Sequence, residues 1–206
     1  MLPKSATILA LVFASVLNLH AQITATISMT IDSSSTLELK GTSTLHNFEC
    51  KSSTIQGSIE MDNSEKTFTE ANIAIPVKSI HSGNSSMDDN MYDALKAKKN
   101  ANITFSLTSA KIAGNQKTSA SAPEDTVHGN LTIAGKTLPV DLAVAIRPGK
   151  NRTIAVEGTK DLLMTDFGVD PPSFMFGALK AGNKVTIDFR LTLAPANVQT
   201  ATTSMK

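Results

Sequence analysis

The sequence predicts an all-β domain of about eight antiparallel strands with one or two short capping helices. Three observations carry this prediction. From Ser35 onward apolar residues recur at every second position, many of them β-branched, which marks half-buried strands. Turn tripeptides join several consecutive segments by links too short for a parallel crossover. Only two ordered links are long enough to hold a helix.

Taken in order, the alternating segments are 35–43, 46–61, 67–78, 102–112, 125–134, 138–147, 152–164 and 183–193. In the fourth, Ile103, Phe105 and Leu107 alternate with Thr104, Ser106 and Thr108. Val127, Leu131 and Ile133 share a phase with Gly129, and Val140, Leu142, Val144 and Ile146 repeat the pattern. Val185, Ile187, Phe189 and Leu191 do so against Thr186, Asp188 and Arg190. In the second segment Phe48 and Cys50 fall on even numbers while Ile55, Ile59 and Met61 are odd, so a bulge is expected within Lys51–Thr54. Asp62-Asn-Ser64, Ala134-Gly-Lys136 and Pro148-Gly-Lys150 supply hairpin turns.

Residues 79–101 hold Met87, Met91 and Leu95 at intervals of four behind Ser86-Met-Asp-Asp89, the pattern of a capped amphipathic helix. Residues 165–182 open on Asp170-Pro-Pro172 and close on Gly182, which predicts a second helix of at most two turns. Asn115–Asp125 reads as a hairpin loop. Eight such strands can close into a barrel or stack as a sandwich. Closure is favoured because few of them carry the inward charges or prolines that blunt an open edge.

Composition narrows the function classes. The chain has 206 residues, 41% hydrophobic and 18% charged, enough for one core. Residues 1–21 put Lys4 before an apolar run, Ile8–Leu17, and end in His20-Ala21, the pattern of a cleaved secretory signal. That run is half the roughly 20 residues needed to span a bilayer, so stable membrane insertion is not expected. Removing Lys4 with this segment leaves 18 basic against 18 acidic residues. A neutral surface argues against nucleic acid. A single cysteine excludes an internal disulfide and a multi-cysteine metal cage. The expected organisation is a signal at 1–21, a lead-in at 22–34, a barrel domain at 35–193 and a disordered tail at 194–206, in a periplasmic or secreted protein.

Gly41-Thr-Ser-Thr-Leu-His-Asn-Phe48, Ser79-Ile-His-Ser-Gly83, Met87-Asp-Asp-Asn-Met-Tyr-Asp-Ala-Leu-Lys96, Asn102-Ile-Thr-Phe105, the run from Val127 to Val140, and Met164-Thr-Asp-Phe-Gly168 follow one another in order and spacing. Together they resemble the YceI-like family over roughly residues 35–193. The resemblance implies a lipocalin-like eight-stranded antiparallel barrel whose apolar tunnel binds a polyisoprenoid. The implied ligand is an isoprenoid quinone or an isoprenyl phosphate, with no catalytic residue and no cofactor. Asn100-Ala-Asn102 departs from the family where a proline often precedes the strand, and 165–182 is unusually rich in Pro, Phe and Met.

On this reading the tunnel is lined by Ile55, Ile59, Ile75, Val77, Ile103, Phe105, Leu107, Leu131, Ile133, Leu142, Val144, Ile187 and Phe189. Phe167, Phe174, Met175 and Phe176 would form an adaptable lip, since Met and Phe beside a proline turn repack readily. His46 and His81 are the candidate contacts to a polar head group, and His128 faces solvent on the other phase. The same aliphatic positions would equally make a dry core, as in a secreted protein-interaction module. An esterase assembled from His46, Asp166 and a serine is the weakest reading, because no Gly-x-Ser-x-Gly elbow is present.

Overall fold

The computed structural model describes residues 26–62, 67–111, 125–174 and 179–196. The strands are β1 (Thr26–Ile31), β2 (Thr36–Ser43), β3 (Phe48–Ser52), β4 (Gln56–Asp62), β5 (Thr67–Pro76), β6 (Asn102–Lys111), β7 (Asp125–Ile133), β8 (Lys136–Pro148), β9 (Ile154–Leu163), β10 (Ser173–Phe174) and β11 (Leu179–Pro195). One helix, α1 (Ser85–Ala94), lies between β5 and β6.

Every pairing is antiparallel, and the order β1-β4-β5-β6-β7-β8-β9-β11 returns to β1, so the sheet closes into a barrel of eight staves. Two staves are built from two strands each. β1 and β2 run in succession along β11, from Met29 opposite Pro195 to Gly41 opposite Val185. β3 and β4 run back along them, from Phe48 opposite Gly41 to Asp62 opposite Thr26.

Both interruptions are tied by serine. Ser35 Oγ accepts the Thr192 N–H at 2.9 Å, replacing a ladder bond where β1 gives way to β2. Ser52 Oγ accepts the Thr54 N–H at 3.1 Å and contacts Ser79 Oγ at 2.8 Å where β3 gives way to β4. This second break lets Cys50 and Ile55 both turn inward, where a phase change was predicted.

Several expectations are corrected. The lead-in 22–34 contains β1, whose Ile27, Met29 and Ile31 pack on the core. The predicted strand 46–61 is two strands, and β11 continues through Ala194 and Pro195 into the expected tail. The second helix does not form among the described residues of 165–182. Met164–Phe167 is a 3-10 turn ended by Gly168 in the left-handed region, and Ser173–Phe174 pairs with Leu179–Lys180. Gly182, expected as a helix stop, lies within β11. The helix cap also moves: Asn84, not Ser86, accepts the Met87 N–H through its side chain at 3.1 Å. The signal segment, residues 115–124 of the long loop and the tail beyond Ala196 lie outside the described residues.

The core is concentrated at one level of the barrel. Met29, Ile59, Phe68, Val127, Val144, Val156, Leu191 and Leu193 are buried in one cluster. Above this layer Ile73 and Ile75 of β5, Ile103, Phe105 and Leu107 of β6, Leu131 and Ile133 of β7, Leu142 of β8, and Ile187 and Phe189 of β11 are only half-buried, although they face the barrel axis.

Candidate functional site

That half-burial has a direct cause: the upper barrel is hollow. A cavity of about 490 Å³ runs from the core layer to the helix end, within the range of roughly 300–1,000 Å³ typical of ligand pockets. All eight staves contribute apolar residues to its wall. Of the predicted tunnel residues, Ile55, Ile59, Ile75, Ile103, Phe105, Leu107, Leu131, Ile133, Leu142, Val144, Ile187 and Phe189 line it. Val77 does not; it is buried in a 3-10 turn after β5, with its N–H bonded to Ala101 O.

Three large rings lie along the wall rather than across the bore. Phe48 covers Gly41, Phe105 covers Gly129 and Phe189 covers Gly158, each glycine on a neighbouring strand. A side chain at any of the three glycines would meet the ring, so each strand position without a Cβ leaves a recess that a phenyl group fills. The bore therefore has apolar bulk in its wall and free space at its centre.

Helix α1 crosses one end and presents Met87, Met91, Ala94 and Leu95 to the cavity. It is fastened by Asp88, which accepts hydrogen bonds from Ser82 Oγ at 2.6 Å and Ser82 N at 2.7 Å, with His81 Nδ1 at 3.1 Å. Burial pushes the Asp88 carboxyl up, but these bonds outweigh it and hold the group below its ordinary value. Tyr92 adds a hydrogen bond from its hydroxyl to Ile80 O at 2.8 Å. His81, predicted as a head-group contact, is thus engaged in anchoring the helix and does not line the cavity. His46 does line it, in the exposed β2–β3 turn held by Ser43 Oγ. His128 lies outside, 2.6 Å from Asp141 Oδ1.

Of the predicted lip, Phe167 is buried and borders the cavity. Phe174 contributes a strand position beside β11, and Met175 and Phe176 lie outside the described residues. Cys50 faces the bore, and burial pushes its thiol up to about 11. Sequence reasoning passed over Phe48, the lining role of α1's methionines and Lys160. For Lys160 the signal was present, since it shares the even phase of Val156, Gly158 and Leu162.

A closed eight-stranded antiparallel barrel with an aliphatic bore and a helix across its end is a lipocalin-like barrel. The chain belongs to the YceI-like family, whose domain model matches residues 19–193. No curated protein matches the chain. Its fold is similar to that of Burkholderia cenocepacia BcnA, at 20% identity and a TM-score of 0.65, covering 79% of this chain and 98% of that one. It is also similar to a polyisoprenoid binding domain from Saccharophagus degradans implicated in plant cell wall breakdown, at 16% identity and a TM-score of 0.61, covering 82% and 99%. The Campylobacter jejuni YceI protein aligns at 18% identity with a TM-score of 0.51, covering 68% of this chain and 80% of that one. No helix among the described residues is long and apolar enough to cross a membrane.

Proposed function

We propose that the barrel is a non-catalytic carrier or store for a long-chain isoprenoid or similar lipid, held with its hydrocarbon along the bore. The observation that carries this reading is the hollow upper barrel: inward Ile103, Leu131, Leu142 and Ile187 have free space, not packed side chains, across the axis. Empty apolar space is costly to a folded protein because the lining atoms forfeit dispersion contacts, and a hydrocarbon restores them. Each methylene buried contributes about 0.8 kcal/mol, so about ten supply on the order of 8 kcal/mol before the entropic cost of association. No catalytic group is required for this. Family membership and the likeness to a polyisoprenoid binding domain support an isoprenoid. The amino-terminal segment supports a periplasmic or secreted location.

The test is organic extraction and mass spectrometry of protein purified natively without heat or detergent. A stoichiometric prenyl-like lipid is expected. Protein that emerges lipid-free and takes up no farnesol when offered it would overturn the reading.

A further inference from the structure

We propose that the bore is a blind measure of tail length: its floor admits about three to four isoprene units of a hydrocarbon tail, and the remainder of a longer tail stays outside the barrel. The inference rests on the lipid reading above and names the length of tail that it leaves open.

The floor follows from strand register. Val144 on β8 and Leu193 on β11 border the cavity yet are each 1% exposed, and the buried Ile59, Phe68 and Val156 complete the layer. Leu193 stands opposite Ile31 on β1 and Ile154 on β9, Val156 stands opposite Ile146, and Ile59 stands opposite Met29. These four partners pack on the same core, and none of them borders the cavity. Among the described residues the barrel is therefore packed solid beyond Leu193, and β1, the strand that completes the cylinder at this level, supplies two of the four backing side chains.

The other end is open. The β8–β9 ladder stops at Val144 opposite Gly158, and above it the two strands part at Lys160, where Lys160 and Leu162 border both the bore and a hollow outside it. The exposed turn with Leu45 and His46 borders the bore at the same end. A tail entering from this end runs towards Leu193 and stops there.

Close packing converts volume into length. A methylene in a close-packed interior occupies about 27 Å³, so a cavity of about 490 Å³ holds roughly 18 carbons, between three and four isoprene units. Each carbon enclosed adds to affinity through apolar surface removed from water, whereas a carbon left outside adds almost nothing. Affinity therefore climbs with chain length until the leading end meets the floor, and then levels.

The test offers the purified protein pairs of isoprenoid alcohols from cyclodextrin and reads the bound ratio by native mass spectrometry, corrected for each alcohol's own cyclodextrin affinity. Geraniol, farnesol, geranylgeraniol and solanesol share one head group and carry two, three, four and nine isoprene units. Farnesol should outcompete geraniol by about tenfold or more, as burial of a further isoprene unit provides, and solanesol should bind within about threefold of geranylgeraniol. Leu193→Ala deepens the bore and should raise the geranylgeraniol-to-farnesol ratio by about threefold, and Val156→Phe raises the floor and should lower it by about as much. The ratio is read within one sample, so a fraction of either variant that fails to fold leaves it unchanged. Solanesol favoured beyond that margin, farnesol bound no better than geraniol, or a ratio unmoved in both variants would overturn the floor while leaving the tunnel standing. A wild type that binds none of the four alcohols would remove the tunnel and the floor together.

Discussion

Phe189 on β11 lies directly opposite Gly158 on β9, and its ring occupies the space where a side chain at 158 would stand: a Cβ built there falls 2.5 Å from Phe189 Cζ. The pair explains how the bore carries aromatic bulk without being filled by it. Two further pairs, Phe105 with Gly129 and Phe48 with Gly41, repeat the device around the wall.

Gly158→Val should push the Phe189 ring off the wall and into the bore. Overpacking of this kind typically costs about 1–3 kcal/mol. Thermal unfolding should show that loss, and bound lipid measured by extraction should fall with it. Lipid content unchanged in a folded variant would show that the ring has room to move elsewhere.

Leu131→Arg and Leu142→Arg test the bore directly, since both side chains line it from adjacent strands. A guanidinium there either projects into the hydrocarbon's space or draws in water, and neither suits an apolar chain. Each variant should keep the β circular-dichroism spectrum and lose co-purifying lipid. Lipid retained at wild-type level in both would place the ligand outside the barrel.

Asn84→Ala removes the side-chain acceptor for Met87 N–H, a change that typically costs about 1 kcal/mol. Asp88→Ala releases Ser82 and His81 together. Both should loosen α1 over the bore, raising hydrogen exchange across Ser85–Ala94 and speeding release of bound farnesol. Exchange rates equal to the wild type would mean that the helix is held by its apolar face alone.

Acid should unfold the protein in a definite window. Glu38 is held down to about 2 by hydrogen bonding with Glu49, Lys40 and Lys51. Asp161 is lowered by Lys184 and Thr186, and Asp188 by Thr159 and Lys40. Their folded values lie below their ordinary values of 4.5 and 3.8, so the unfolded chain takes up protons first as pH falls. The stabilisation is complete above about pH 4.5 and is lost towards about pH 2. These groups lie on the outer face, so salt should weaken the effect. Denaturant midpoints across pH 2–6, with Lys40→Met shifting the loss to higher pH, check this.

Cys50 faces the bore with its thiol pushed up to about 11, so little thiolate exists at neutral pH. Alkylation by N-ethylmaleimide should be slow at pH 7, rise steeply towards pH 10, and be suppressed by farnesol. Fast labelling that lipid leaves unchanged would put the thiol on an outside path.

Much of this protein is written in its periodicity. Ile103, Phe105 and Leu107, or Val185 through Leu191, declare both their strand and their inward face, because a pleated strand turns alternate side chains to opposite sides whatever lies across the barrel. Ala134-Gly135 declares its hairpin for the same local reason, as both residues take the positive φ that such a turn needs. β1 carries the same alternation in Ile27, Met29 and Ile31, but it is short and directly follows the amino-terminal segment, and its place in the sheet depends on β4 and the distant β11. The proline-rich segment after Phe167 was misread because its helix signals are local, whereas its pairing with Leu179–Lys180 depends on where β11 lies.

The sequence by itself determined most of the strands from β5 onward, the inward phase of their alternating apolar residues and that a helix follows β5. Tertiary structure alone decided that the cylinder is hollow above Val144 and Leu193, that glycines receive the phenylalanine rings, and that β8 and β9 part at Lys160. Side-chain phase is a property of one strand, whereas empty space and an open seam are properties of what stands opposite, and that is fixed only when the staves close.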